Sequence, residues 1–179
     1  MWWMPKKIFI NEERTNGTSS RTPFKLPAES LVESIVDNLI LDKVTPIVGS
    51  IVYCDLAAGQ AEHSGIYIGN NRIVHLNGDG LVESVTPKQF MDRLEGWNTA
   101  ISIYVASHNG KAVGKVEIAE RAKEYIGRKR DYSLIFDNCH QFTNGCLSGN
   151  FDNSCNFFSF LKDEVRDILG GDEWRVWDL

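Results

Sequence analysis

The sequence predicts an α+β domain in which an antiparallel sheet of about five strands packs against helices. Between residues 50 and 105, short runs of β-branched and aromatic residues alternate with turn residues, as strands do. Amphipathic helical segments lie before and after this region. The 179 residues are 42% hydrophobic and 24% charged, an ordinary globular composition. This length buries a core without disulfides, and strands flanked by helices favour the α+β class.

The N-terminal quarter is predicted to lie outside the sheet. Residues 1–27 contain the loop cluster 16–20 and read as an irregular arm. Over 28–43 the apolar residues recur at helical spacing, which predicts one amphipathic helix. Its acidic polar face favours packing on the core over a membrane surface. The chain is therefore divided into an arm with a helix over 1–44 and a domain over 45–179.

Five segments are predicted as strands, and the loop between two of them carries a turn signal. Gly69, Asn70 and Asn71 stand between the second and third runs and indicate a hairpin. The five runs are 50–54, 64–68, 72–76, 81–85 and 100–105.

Four further helices are predicted after the N-terminal one, from capping residues and periodicity. Thr86 and Pro87 suit the N-cap and first position of a short helix that reaches about residue 94. An extended segment over 132–136 precedes the third helix. The other three helices span 116–126, stopped by Gly127, then 139–147, ending near Gly149, and 157–169, ending at 170–171.

The charge and the cysteines exclude several classes of partner. Nineteen basic and 24 acidic residues give a net charge of −5, which provides no counterion-release drive towards nucleic acid. The basic run 128–130 is interpreted as a solvated helix end. No segment has the roughly 18 to 20 apolar residues of a transmembrane helix, and residues 1–7 lack the features of a secretory signal. The four cysteines show no metal-site spacing, so we expect a soluble cytoplasmic protein without metal or cofactor.

Two histidines lie on the two strands of the predicted hairpin. If the turn is at Asn70 and Asn71, His63 and His75 come close across the ladder and could form an acid/base with its orienting partner. Two half-buried strand histidines without a chemical role fit the spacing equally well.

A cysteine lies at the predicted junction of a strand and a helix. Asn138 suits an N-cap, which places Cys139 in the first helical turn. The positive helix end and the unpaired N–H groups there would lower the pKa of the thiol and form an oxyanion hole. The alternative is a buried structural thiol. Together with the histidines, this cysteine completes the elements of a Cys-His catalytic unit.

These motifs resemble a known family over about residues 46–150. The histidine hairpin resembles the H-box, and Asn138-Cys139 the NC motif, of the lecithin retinol acyltransferase (LRAT)-like proteins. The two histidines are 12 residues apart and precede the cysteine, as in the family. The segments 119–127 and 132–134 are similar to the family's approach to its NC motif. Residues 49–53 resemble its opening strand, with serine in place of aspartate.

The resemblance implies a fold and a chemistry. The fold is the circularly permuted papain-like (NlpC-type) fold, with the nucleophile at a helix N-terminus. Cys139 is implied as the nucleophile, His63 as the base that activates it, and His75 as the residue that orients His63. The implied reaction transfers an acyl group from an ester, a phospholipid in animal members, through a thioester to water, an amine or an alcohol.

The remaining histidine and cysteines near the motif receive lesser roles. Asn138 and His140 are the candidates for capping or for the oxyanion site. His140 stands where many relatives have glutamate, and we expect it on the surface of the first turn rather than as a rival base. Cys54, Cys146 and Cys155 are interpreted as small hydrophobic residues.

Three functions stay open at this point. The first is a thiol acyltransferase or phospholipase acting on lipid esters, with a peripheral membrane contact. The second is a thiol amidase or peptidase acting on peptidoglycan or protein. The third is a non-catalytic regulatory module that keeps the fold. The C-terminal segment after residue 170 contains tryptophans that suit an interface, although folding back onto the domain is the commoner outcome.

Overall fold

The computed structural model describes residues 43–56, 61–92, 102–130 and 138–179. The predicted arm over 1–27, nearly all of the predicted helix over 28–43 and the extended segment 132–136 lie outside the described residues. Within the described ranges, no helix has both the length and the apolar character needed to cross a bilayer.

One mixed sheet of eight strands runs through the described part of the chain. All neighbouring strands are antiparallel except β1 and β8, which are parallel. The order is β1-β8-β6-β2-β3-β4-β5, and β7 pairs with β6. The strands are β1 (Lys43–Val44), β2 (Ile51–Leu56), β3 (Ala61–Gly69), β4 (Arg72–Leu76), β5 (Val82–Val85), β6 (Ile103–His108), β7 (Lys111–Ala112) and β8 (Glu173–Trp177).

The five predicted strands correspond to β2 to β6, and three more complete the sheet. Two of the additional strands have two residues each, too few to leave a periodic pattern. The third, β8, comes from the C-terminal segment. This segment folds back onto the sheet, which is the outcome that the sequence analysis gave as the commoner one. The sheet is therefore wider than the expected five strands.

The hairpin between β3 and β4 forms at the predicted turn. Asn70 and Asn71 have φ of 50° and 57°, the left-handed conformation that both central residues of a type I′ turn need. The register shifts between Tyr67 and Gly69, where β3 carries one extra residue.

Four helices lie in the described ranges, close to the predicted positions. Thr86 forms a capping box at the start of the first helix, with Pro87 at its first position. Gly149, in the left-handed conformation, ends the third helix. The helices are α1 (Pro87–Met91), α2 (Val116–Glu124), α3 (Cys139–Ser148) and α4 (Phe158–Leu169).

The sheet has a hydrophobic cluster on each face, because alternate strand residues point to opposite sides. Phe142 of α3 and Leu161 of α4 belong to one cluster, and Phe90 of α1 belongs to the other. The prediction that three cysteines serve as small hydrophobic residues agrees with their burial in these clusters: Cys54, Cys146 and Cys155.

Candidate functional site

Helix α3 begins with a complete side-chain cap. The Asn138 side-chain oxygen accepts hydrogen bonds from the N–H groups of His140 and Gln141, and the Gln141 side chain accepts the N–H of Asn138. The Asn138 amide also donates to the carbonyl of Asn156, 2.8 Å away. Asn138 is thus the cap that the sequence predicted, and it holds Cys139 as the first residue of the helix.

The thiol of Cys139 lies at the edge of strand β3. Its Sγ is 4.0 Å from the carbonyl oxygen of Glu62, and the backbone and hydroxyl of Ser64 are near enough to lower the pKa of the thiol. The described pairs between β3 and β4 run from Ile66 to Gly69. The sulfur approaches β3 at residues that precede these pairs. The thiol is therefore next to the main chain on both sides of His63.

The ionisation of Cys139 is governed by burial. The residue is 5% exposed, and the loss of hydration raises the pKa of its thiol. Hydrogen bonds from Ser64 and from the backbone N–H groups of Cys139 and His140 act in the opposite direction. The expectation that the helix N-terminus leaves this thiol with a lowered pKa is therefore wrong in its net sign, because desolvation outweighs these donors.

The two hairpin histidines contact each other inside the protein. His63 Nε2 and His75 Nδ1 are 2.9 Å apart, and the side chains are 7% and 0% exposed. Both rings also contact Phe90 of α1, with ring centroids 4.9 Å and 5.6 Å away. The spacing left open whether these histidines meet, and the structure brings them into hydrogen-bond distance.

His140 is buried, so the expectation that it lies on the surface is wrong. Its Nδ1 is 2.9 Å from the Ser64 hydroxyl, and its ring packs against Phe158 of α4. Burial lowers the pKa of His140 to about 4, so the side chain is neutral near pH 7. Because α4 covers this face of α3, a first-turn position that a lone helix would expose becomes internal.

Sequence reasoning missed three residues around the site. Ser64 links β3 to α3, since its hydroxyl hydrogen-bonds to His140 Nδ1 and donates to Thr143 at 3.0 Å. Phe90 supports both histidine rings. Glu83 places a carboxylate oxygen 3.4 Å from His75 Nε2. No motif marks Ser64, because its contacts come from the packing of α3 on β3.

Fold and site together define an α+β protein with a buried histidine pair beside a cysteine on the first turn of a capped helix. The family model described as lecithin retinol acyltransferase matches residues 45–152. The match covers more than half of the chain, and the protein belongs to this family, which confirms the resemblance seen in the motifs. Membership indicates acyltransferase or thiol-hydrolase activity. Among curated proteins, no match to the chain is found.

Proposed function

We propose that the protein is a cysteine-dependent acyltransferase or hydrolase acting on lipid or other acyl esters. In this proposal Cys139 is the nucleophile, His63 the base and His75 the residue that orients His63. One observation carries it: the Cys139 thiol lies against the main chain on both sides of His63, whose Nε2 is 2.9 Å from His75. The permuted papain-like arrangement implied by the family is part of the same proposal.

The first step moves a proton from sulfur to imidazole. Because burial raises the pKa of the Cys139 thiol, the thiolate forms together with a positive partner rather than alone. His63 accepts the proton, and the resulting imidazolium donates a hydrogen bond to His75. The first-turn N–H groups and Ser64 stabilise the negative sulfur.

The next steps form and hydrolyse a thioester. The thiolate attacks the ester carbonyl carbon, and the electron pair of the C=O bond moves to its oxygen, where the backbone N–H of Cys139 stabilises it. The C–O bond breaks as His63 returns its proton to the leaving alcohol, which leaves an acyl–Cys139 thioester. Water or another acceptor then attacks the thioester carbonyl carbon while His63 takes its proton. The C–S bond breaks, the acyl product leaves, and His63 returns the proton to the sulfur, which restores the thiol.

Two exposed phenylalanines support a lipid substrate. Phe157 and Phe160 are 65% and 51% exposed, with ring centroids 5.8 Å apart. Phe157 follows Asn156, whose carbonyl holds the cap residue of α3, so the rings stand close to the helix that carries Cys139. Such a pair suits insertion into a membrane interface. Replacing both with serine should reduce sedimentation with phosphatidylcholine vesicles several-fold, whereas Val116→Ser, an exposed apolar residue on α2, should not.

The test of the function measures fatty acid released from phosphatidylcholine vesicles. Wild type should release it and form a hydroxylamine-sensitive acyl adduct on Cys139, visible by peptide mass. Cys139→Ala should abolish release, and His63→Ala should lose nearly as much because the two act as a unit. Cys155→Ala is the matched control, because this other buried thiol has no part in the mechanism.

Other outcomes would replace the proposal. Full release by Cys139→Ala would remove Cys139 as the nucleophile. Absence of release combined with cleavage of a muropeptide or an isopeptide would replace the ester by an amide substrate. Absence of all turnover, with no acyl adduct, would favour the regulatory module.

A further inference from the structure

We infer that Glu83 is a positioning residue of the candidate site, which sets the proton arrangement of both histidines. This inference rests on the function proposed above, since it concerns the base of the same reaction. Glu83 in β5 is the direct register partner of His75 in β4, and its Oε1 is 3.4 Å from His75 Nε2. The contact extends the pair into a row running from His63 through His75 to Glu83.

The carboxylate of Glu83 is itself held by the turn that joins β4 and β5. Asn77 donates a hydrogen bond from Nδ2 to the same Oε1 atom, 3.1 Å away. The Asn77 side-chain oxygen accepts the backbone N–H groups of Asp79 and Leu81. Because these bonds fix which end of the amide is oxygen, the Nδ2 group is directed at Glu83. The position of the carboxylate beside His75 is thus built into the turn.

The chemistry of the three groups determines where the protons lie. An ionised carboxylate only accepts hydrogen bonds, so His75 Nε2 must carry a hydrogen. In a neutral His75 the lone pair is then on Nδ1, and His63 Nε2 donates to it across 2.9 Å. His63 consequently keeps its own lone pair on Nδ1. The opposite arrangement would direct the lone pair of His75 Nε2 at a negative oxygen.

This arrangement suits a base that gains and loses one proton per step. When His63 takes the proton of the Cys139 thiol on Nδ1, its Nε2–H bond to His75 is already in place. The positive charge of His63 is then separated from the Glu83 carboxylate only by a polarised His75 ring, which lies in a fully buried position. Glu83 therefore acts through His75 on the base and does not touch the substrate.

The experiment reads the tautomers directly. The imidazole nitrogens of ¹⁵N-labelled protein are assigned by NMR, which is practical because the chain has four histidines. Wild type should carry hydrogen on Nε2 of both His63 and His75 near pH 8. Glu83→Met, which removes the acceptor while keeping a similar shape, should give a mixture of tautomers. A hydrogen on His75 Nδ1 in wild type, or unchanged tautomers in Glu83→Met, would overturn the inference.

The kinetic arm measures how fast iodoacetamide alkylates Cys139. We expect Glu83→Met to lower this rate by about 10- to 100-fold, by analogy with the carboxylates that orient metal-ligating histidines. Glu83→Gln, which retains an acceptor without charge, should have an alkylation rate between those of wild type and Glu83→Met. It replaces Glu83→Met in the experiment if that variant does not fold. Glu117→Gln on the exposed face of α2 is the matched control.

The two proposals fail separately. If Cys139→Ala keeps full turnover while the tautomers respond to Glu83, the proposed function is wrong and the proton arrangement stands. If Cys139→Ala is inactive while Glu83→Met keeps both the wild-type tautomers and the wild-type alkylation rate, only the role of Glu83 is wrong.

Discussion

The buried His140 should make the stability of the protein depend on pH between 7 and 4. Burial lowers the pKa of this side chain from 6.5 to about 4 in the folded protein, while the unfolded chain has the ordinary value. Between these two values the unfolded state binds more protons than the folded state. Lowering the pH therefore favours unfolding, and the stabilisation present above pH 6.5 is lost as the pH falls towards 4.

The size of this effect follows from the two pKa values. A difference of about 2.5 units corresponds to about 3 kcal/mol of unfolding free energy once the pH is below both. At pH 5 the unfolded histidine is almost fully protonated and the folded one is mostly neutral, so about 2 kcal/mol of this loss has occurred.

The assay compares wild type with His140→Asn by urea unfolding, followed by tryptophan fluorescence, to which Trp174 and Trp177 in β8 contribute. Asparagine places an N–H donor where His140 has Nδ1, so the bond to Ser64 is kept while the titrating group is removed. Wild type should lose about 2 kcal/mol more than the variant between pH 7 and pH 5. Parallel curves, agreeing within about 0.5 kcal/mol, would refute a buried neutral histidine.

Two further variants test the packing around the site. Gly65→Ala would place a Cβ 2.9 Å from the carbonyl oxygen of Val74, which is backbone and cannot move aside, so we expect urea unfolding to show a loss of about 1–3 kcal/mol. Gly78→Ala, where no atom lies within 4 Å of the added carbon, is its control, and an equal loss in both would remove the steric explanation. Arg121→Met removes two hydrogen bonds, of 2.6 Å and 2.9 Å, to carbonyls in the last turn of α3, and we expect a loss of about 2 kcal/mol in the same assay. Lys123→Met, which breaks an exposed ion pair, should cost less than about 0.5 kcal/mol, and a similar cost for Arg121→Met would contradict its capping role.

Features set by neighbouring residues could be predicted from the sequence. The turn at Asn70 and Asn71, the Thr86 cap and the Asn138 cap each depend on groups within a few positions. The same local signals placed Cys139 on the first turn of α3.

Features set by distant packing could not be predicted. His140 is buried because α4 covers it, and no pattern around residue 140 reports that contact. The net direction of the Cys139 pKa depends on how deeply the thiol is enclosed, which outweighs the helix end that the sequence revealed. The register of β4 and β5 brings Glu83 opposite His75, and a shift of one residue would have turned Glu83 to the other face.

The position of β8 between β1 and β6 has a consequence for the order in which the protein assembles. Lys43 pairs with Val176, so this side of the sheet joins two distant parts of the chain, whereas the histidine hairpin closes over 12 residues. Short-range contacts close at a lower entropic cost, so a chain emerging from the ribosome can form the hairpin long before β8 is synthesised. Until then β6 presents an open strand edge, a template for pairing with another chain. A chain that terminates before β8 could therefore still form the histidine hairpin. Its open β6 edge would make it prone to aggregation.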